Sequence, residues 1–462
     1  MSLPPIQLWI NLATRDHYLE IGWRLWASPR AVQAIPYQPC RSRGLAVGEE
    51  KSALNMADQL PLLFGVDFFP NFFSPYFAKS SMEPCASVQA PGALLSALPC
   101  AYSSLNAVFL DQNLAVIPGE WKSGNITSWL YDIVPADTSI SSSLQKIKSA
   151  DFIGYDGSFF ETIGPDAKLE KIQSFPLTLK HVHEAPVYLP DTNELLYSDT
   201  TVLGTTYAIE IDTHEVRNIT TDPPLWNVNG GTLYRGTVYV TTNGSPVRGI
   251  HTIDTNTGKT KAILNNYRGR HFNSPNDLIF DSQGSLVFTD PTYGQDNAWP
   301  GVQASELPQA IYRFHLSTGA VTAISNNIVQ KPNGLALSAD EKTLYVADSL
   351  STSNVLSDQR AVWAFDYAKT GPLTNPRLVY QVASGWPDGV RVTQSGLLLA
   401  AVYGGVDIVD PDTGVVLGKI NCPDDTVYNI EPARAKAGVW LLTGGNNLYK
   451  LTMKEQALPL AG

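Results

Sequence analysis

NGLALSADEKTLYVADS (333–349) reads as a strand, a tight polar turn and a second strand. The same phrase recurs upstream as HEAPVYLPDTNELLYSDT (183–200), NGGTLYRGTVYVTTN (229–243) and NDLIFDSQGSLVFTDP (276–291). It returns downstream as DGVRVTQSGLLLAAV (388–402) and NIEPARAKAGVWLLTGG (429–445). A second hairpin or its remnant follows each, for example AIEIDTHEVRNIT (208–220) and IHTIDTNTGKTKAIL (250–264). Two hairpins make one four-stranded blade, so six units predict an all-β, six-bladed β-propeller. The last unit supplies three clear strands, and AKLEKIQSF (167–175), just before the first unit, is the candidate for its missing outer strand. That pairing would close the ring and remove exposed edges.

The units open on Glu184, Asn229, Asn276, Asn333, Asp388 and Asn429, spaced by 45, 47, 57, 55 and 41 residues. In a propeller the first strand of each blade lines the central channel, so these positions converge on the axis. One Glu, one Asp and four Asn are hard oxygen donors without thiolate or imidazole, a set that suits Ca²⁺, or another divalent cation, better than zinc or copper. The competing reading is turn chemistry, because Asn and Asp before Gly commonly occupy turns. Recurrence at one register assigns Glu184 and Asp388 to function, whereas Asn429 reads as turn structure. Asp290 and Asp348, closing second strands, read as turn caps. Alternation puts His181 and His183 on one side of the strand, away from Glu184, which disfavours them as proton carriers. The long stretches 292–309 and 350–360 are expected to overhang the axial cluster.

Of the 462 residues, 44% are hydrophobic and only 16% charged, enough for a large core. The net charge of −11, without a Lys/Arg cluster, argues against a nucleic-acid partner. No window offers the roughly 18 apolar residues of a membrane span. Four scattered cysteines, Cys40, Cys85, Cys100 and Cys422, give neither a disulfide framework nor a zinc pair, and cysteine chemistry is set aside. Residues 1–104 read as an N-terminal extension and 105–462 as the propeller. Met56 and Met82 are both candidate starts, and the run from Met82 to Tyr102 is signal-like but lacks a basic start. With three sequons, at Asn125, Asn218 and Asn243, the compartment stays open between secreted and cytoplasmic.

The chain resembles the senescence-marker protein, gluconolactonase and luciferin-regenerating-enzyme superfamily, and within it the fungal lactonohydrolases. The motifs that carry this are HVHEAP (181–186), NVNGGTLYRG (227–236), ILNNYRGRHFNSPNDL (263–278), FTDPTYG (288–294), KPNGLALSADEKTLYVADS (331–349) and WPDGV (386–390). ADFIGYDGSFFETIGPDAKLEKI (150–172) also looks like the fungal lead into the first blade. The resemblance implies a Ca²⁺ held by the residues matching Glu184, Asn333 and Asp388, with Asn276 coordinating it or contacting substrate. Asn229 falls where the family places a further polar group near substrate. The implied reaction is opening of a small-molecule lactone by water, with Asp388 as base. No G-x-S-x-G elbow for a serine nucleophile is present. Two other readings are a non-catalytic binding propeller with structural Ca²⁺, and aryl-ester or phosphotriester hydrolysis at the same site.

Overall fold

The computed structural model describes residues 94–459 apart from 118, 135–139, 178–180, 245–246, 300–301, 326–327 and 351–355. Contacts divide the chain between Ala78 and Lys79. The first unit, both candidate internal starts and the beginning of the signal-like run lie outside the described residues. From Leu94 onward that run is part of the fold: Leu94 is buried with Val108, Leu110 and Leu144, and Ser96 bridges Phe109.

The architecture is all-β. Four antiparallel sheets of four strands follow one another in the chain. Their innermost strands are His183–Leu189, Val228–Tyr234, Leu278–Phe280 and Pro332–Leu337. Two of the second strands, Glu194–Asp199 and Ser285–Asp290, are buried along their whole length. That explains their near-continuous apolar runs, LLY and LVF, because a strand covered on both faces needs no polar alternation. The outermost strands are largely uncovered: Val216–Thr220 buries a single residue, and Thr260–Leu264 and Ala320–Ala323 bury none.

The C-terminal repeats do not separate in the same way. They form one eight-stranded sheet, because Leu398–Asp410 and the 18-residue Val415–Pro432 run through without interruption. Phe152–Gly154 adds to Val415–Pro432, and Ala107–Phe109 adds in parallel outside it, so residues preceding the repeats extend this sheet. At the other end Lys168–Ser174 pairs antiparallel with Asn447–Thr452, matching Leu169 to Leu451. The strand expected from AKLEKIQSF is therefore where the repeat pattern places it.

Apolar clusters lie between successive sheets. Val187 and Leu196 pack with Val228 and Val240, and Ile250 packs with Phe272 and Phe288. Val287 and Ile311 pack with Leu335 and Val346, and Tyr345 and Val362 pack with Val390 and Leu398. Leu399 and Ile408 join Trp440 and Tyr449. Finally Leu441 and Leu448, from the last repeat, pack with Leu195 and Tyr197 of the first. Burial of each such side chain contributes about 1.5–3 kcal/mol.

Cysteine does contribute covalently: Cys100 is disulfide-bonded, which corrects the reading that set it aside, while Cys422 is a buried free thiol. Among the described residues no helix is long and apolar enough to cross a membrane.

Candidate functional site

Four of the six inner strands carry a register shift beside the residue that opens the repeat. The shifts fall between Glu184 and Val187, Val228 and Gly231, Pro332 and Leu335, and Val427 and Asn429. A bulge re-aims the side chain beside it, which is why such irregularities collect at sites. In the first repeat Ala185 takes up the distortion with φ 53°, a left-handed conformation uncommon for a residue with a Cβ.

The glycines after the opening residues are not turn glycines. A Cβ on Gly230 would lie 2.3 Å from the Asn276 carbonyl oxygen, and one on Gly334 would lie 2.2 Å from that of Asp388. One on Gly389 would lie 2.3 Å from Asn429 Oδ1. Each glycine lets the next repeat's polar residue press against the inner strand. Hydroxyls on second strands then fix the carbonyls: Thr289 donates to Asn333 O (2.9 Å), Ser198 to Val228 O (2.5 Å), and Thr241 to Asn276 O.

All six opening residues are buried. Asn429 Nδ2 donates to Glu184 Oε2 (3.2 Å), and its Oδ1 accepts from Ile430 N (2.9 Å). Asn429 therefore lies in a strand and orients a carboxylate, contrary to the turn reading. Asn333 Nδ2 donates to Tyr293 Oη (3.0 Å) and Ser349 Oγ (3.1 Å). The polar side chains of Trp386 and Asn333 lie beside the Asp388 carboxyl and oppose the effect of its burial. Asn229 Oδ1 accepts from Asn243 Nδ2 (2.7 Å). Asn276 Oδ1 is buried without a hydrogen-bond partner.

Asp277, Tyr293 and Tyr428 were not singled out from sequence. Asp277 is buried beside Asn276, 3.7 Å from Arg391 Nη1. It shares one electrostatic neighbourhood with Glu184 and Asp388. Burial, reinforced by Asp277, pushes the Asp388 carboxyl up to about 8. Burial and then the Asp388 charge drive Glu184 well above the carboxylate range. Burial also raises Tyr428, whose hydroxyl lies in the field of both. The dipeptide Asn276-Asp277 was the available signal for Asp277. Tyr293, in the short helix Tyr293–Asp296, shows that the 292–309 insertion reaches Asn333, as expected. In the 350–360 insertion, residues 351–355 lie outside the described residues.

The capping reading of the second-strand aspartates is correct. Asp290 accepts from Asn273 N (3.0 Å) and Ser274 N (2.7 Å), and Asp348 from Gln330 N and Lys331 N (both 2.9 Å). His181 and His183 do share a side, their rings 5.4 Å apart and 18° from parallel. Burial lowers the His183 pKa. Asn243 is fully buried and bonded to Asn229, so its sequon is internal, whereas Asn125 and Asn218 are exposed. A separate cavity of about 320 Å³, lined by Leu278, Leu335, Arg391, Glu431 and Arg434, contains none of the six opening residues.

The observed class is an all-β protein whose successive sheets bring buried carboxylates and carboxamides together at the starts of their inner strands. The chain belongs to the SMP-30/gluconolactonase/LRE-like family, whose model matches residues 182–431. It is 29% identical over 430 residues to the lactonohydrolase oryL of Aspergillus oryzae, covering 84% of this chain and 95% of that protein. It is 34% identical over 196 residues to a gluconolactonase of Zymomonas mobilis, 40% of this chain and 51% of that protein. Among solved structures, a putative gluconolactonase superposes with TM-score 0.58 at 24% identity, covering 67% of this chain and 99% of that one. A gluconolactonase of Xanthomonas campestris gives 0.55 at 27% identity, with 66% and 95% covered. These likenesses place the sheets in the family's propeller fold.

Proposed function

We propose that this chain is a cation-dependent hydrolase that opens lactones, working at the axis of a six-bladed propeller. Four blades are the separate sheets. The other two are the halves of the eight-stranded sheet, joined through Val415–Pro432, and packing of the last repeat on the first supports a closed ring. The relatives named lactonohydrolase and gluconolactonase support the reaction class.

The observation that carries the site is electrostatic. Glu184, Asp277 and Asp388 are buried together, with the Arg391 guanidinium in their immediate field. Buried like charges need a counter-charge. The partnerless Asn276 Oδ1 and the oxygen-only donor set suit Ca²⁺. Glu184, Asn276, Asn333 and Asp388 would hold it. Asn333 fits because its N–H groups are spent on Tyr293 and Ser349, which leaves Oδ1 to coordinate. When bound, the ion supplies Lewis acidity toward the ester carbonyl.

The chain's own residues do the rest. Asp388 orients a water and takes its proton as the water adds to the carbonyl carbon, and returns that proton to the ring oxygen as the acyl C–O bond breaks. Asn229 has its oxygen occupied by Asn243, so it meets a substrate ring oxygen or hydroxyl through its N–H groups, and Asn276 is placed to add a second polar contact. Asn429 holds Glu184 in register. Tyr293 sits above Asn333 as part of the rim. The test is pH-stat hydrolysis of a lactone panel including glucono-δ-lactone and D-pantolactone, with Ca²⁺, after chelation and after Ca²⁺ is restored. Activity that disappears and returns supports the proposal. Ca²⁺ binding with no lactone turned over would move the reading to a binding propeller, and turnover of aryl esters or phosphotriesters alone would reassign the reaction.

A further inference from the structure

The aspartate that ends the second strand has one job in the third and fourth repeats: Asp290 and Asp348 each clamp two backbone N–H groups. In the first repeat the same register holds Asp199, opposite His183 in the strand pairing. Its Oδ1 accepts from Thr201 N (2.9 Å) and Thr201 Oγ1 (2.6 Å). Its Oδ2 faces two imidazoles instead of backbone, with His181 Nδ1 at 2.6 Å and His183 Nε2 at 4.0 Å.

The His183 ring is fixed from its other side. Nδ1 lies 2.6 Å from Gly444 O, and a carbonyl only accepts, so Nδ1 carries the hydrogen and Nε2 presents a lone pair. Phe175 stacks on the same ring at 3.7 Å. A buried lone pair thus faces a carboxylate oxygen across a gap too long for a hydrogen bond, an arrangement that a cation between them relieves. An imidazole whose second nitrogen is bonded to a backbone carbonyl is also the usual posture of a metal-ligating histidine.

We infer that His181, His183 and Asp199 form a second cation site, distinct from the axial one and selective for a transition dication of the Zn²⁺ class. Their donor atoms all lie within 4.8 Å of one another. A Zn²⁺ at about 2.1 Å from each donor spans pairs up to about 4.2 Å apart, so small side-chain rotations complete the site. Two imidazoles and one carboxylate favour such an ion over Ca²⁺. The ligands come from the first repeat, while Gly444 comes from the last, so an ion here would brace the junction between them. The inference does not depend on the lactonase reading.

The experiment is calorimetric titration of chelator-stripped full-length protein with Zn²⁺ in excess Ca²⁺, together with Co²⁺ titration followed by visible absorption. The expected result is binding that Ca²⁺ does not compete away, weakened at least tenfold by His181→Gln and by Asp199→Asn and unchanged in Glu184→Gln. Melting curves confirm that each variant is folded. Should Asp199→Asn fail to fold, His181→Gln carries the test, because that side chain is 13% exposed. Zn²⁺ that Ca²⁺ displaces, binding lost in Glu184→Gln but kept in His181→Gln, or no binding at all would overturn the inference and leave a His181–Asp199 hydrogen bond alone.

Discussion

Asp388 and Asn429 open neighbouring repeats, yet their atoms are used differently. Asp388 ends among hydrogen-bond donors and other carboxylates, whereas Asn429 spends its amide on Glu184. Replacing Asp388 by Asn keeps shape and removes the base, so kcat/KM for a lactone should fall by about 10²–10⁴-fold while the melting temperature stays within a few degrees. A fully active Asp388→Asn enzyme would remove Asp388 from the chemistry. Asn429→Ala should instead weaken Ca²⁺ binding, measured by calorimetry, because it leaves Glu184 Oε2 without its donor; unchanged affinity would show that Glu184 needs no such support. These roles were only partly legible in the sequence. Register across repeats singles out the six opening positions, but an Asn-Gly pair looks the same in a turn as in a strand pressed by its neighbour. Asp277 was hidden for a similar reason: nothing local distinguishes a capping aspartate from one buried in a shared field.

At the scale of strands, the close approach of one repeat to the next makes the glycines the exposed weakness of the site. Gly334→Ala would push a methyl group into the Asp388 carbonyl at 2.2 Å, so it should reduce both stability and turnover. Gly236→Ala has open space around it, and its cost is confined to its φ of 74°. Equal activity in the two variants would disprove the packing argument. Outer strands depend on different forces. Arg217 grips Glu194 through two nitrogens, at 2.6 and 2.7 Å, and holds its carboxyl below the usual range. A carboxyl lowered on folding stabilises above its ordinary pKa near 4.3 and loses that contribution as pH falls through the folded value. Glu194→Gln should therefore cost about 1 kcal/mol at pH 7, and the deficit should shrink by pH 3; a deficit independent of pH would refute the ion pair as its cause. The strands themselves were readable from alternation and turn residues. The fusion of the C-terminal repeats was not, because no residue type marks Val415–Pro432 as one strand that pairs with Leu398–Asp410 along its first part and with Val439–Gly444 along its last.

For the molecule as a whole, stability is distributed over apolar layers between sheets. Leu448, fully buried where the last repeat meets the first, is the sharpest probe of that junction. Leu448→Ala should lose about 2–5 kcal/mol by denaturant titration, and a loss under 1 kcal/mol would mean the junction contributes little. The strand Lys168–Ser174 completes the sheet begun by the final repeat, so its partner Asn447–Thr452 is synthesised some 270 residues later, the interval between Ser174 and Asn447 being 273. While the chain is being made, this edge waits unpaired until Asn447–Thr452 has been synthesised. Ribosome-stalled chains ending before residue 447 should consequently leave it open to proteases, and protection should arrive abruptly once Asn447–Thr452 has emerged rather than accumulate repeat by repeat.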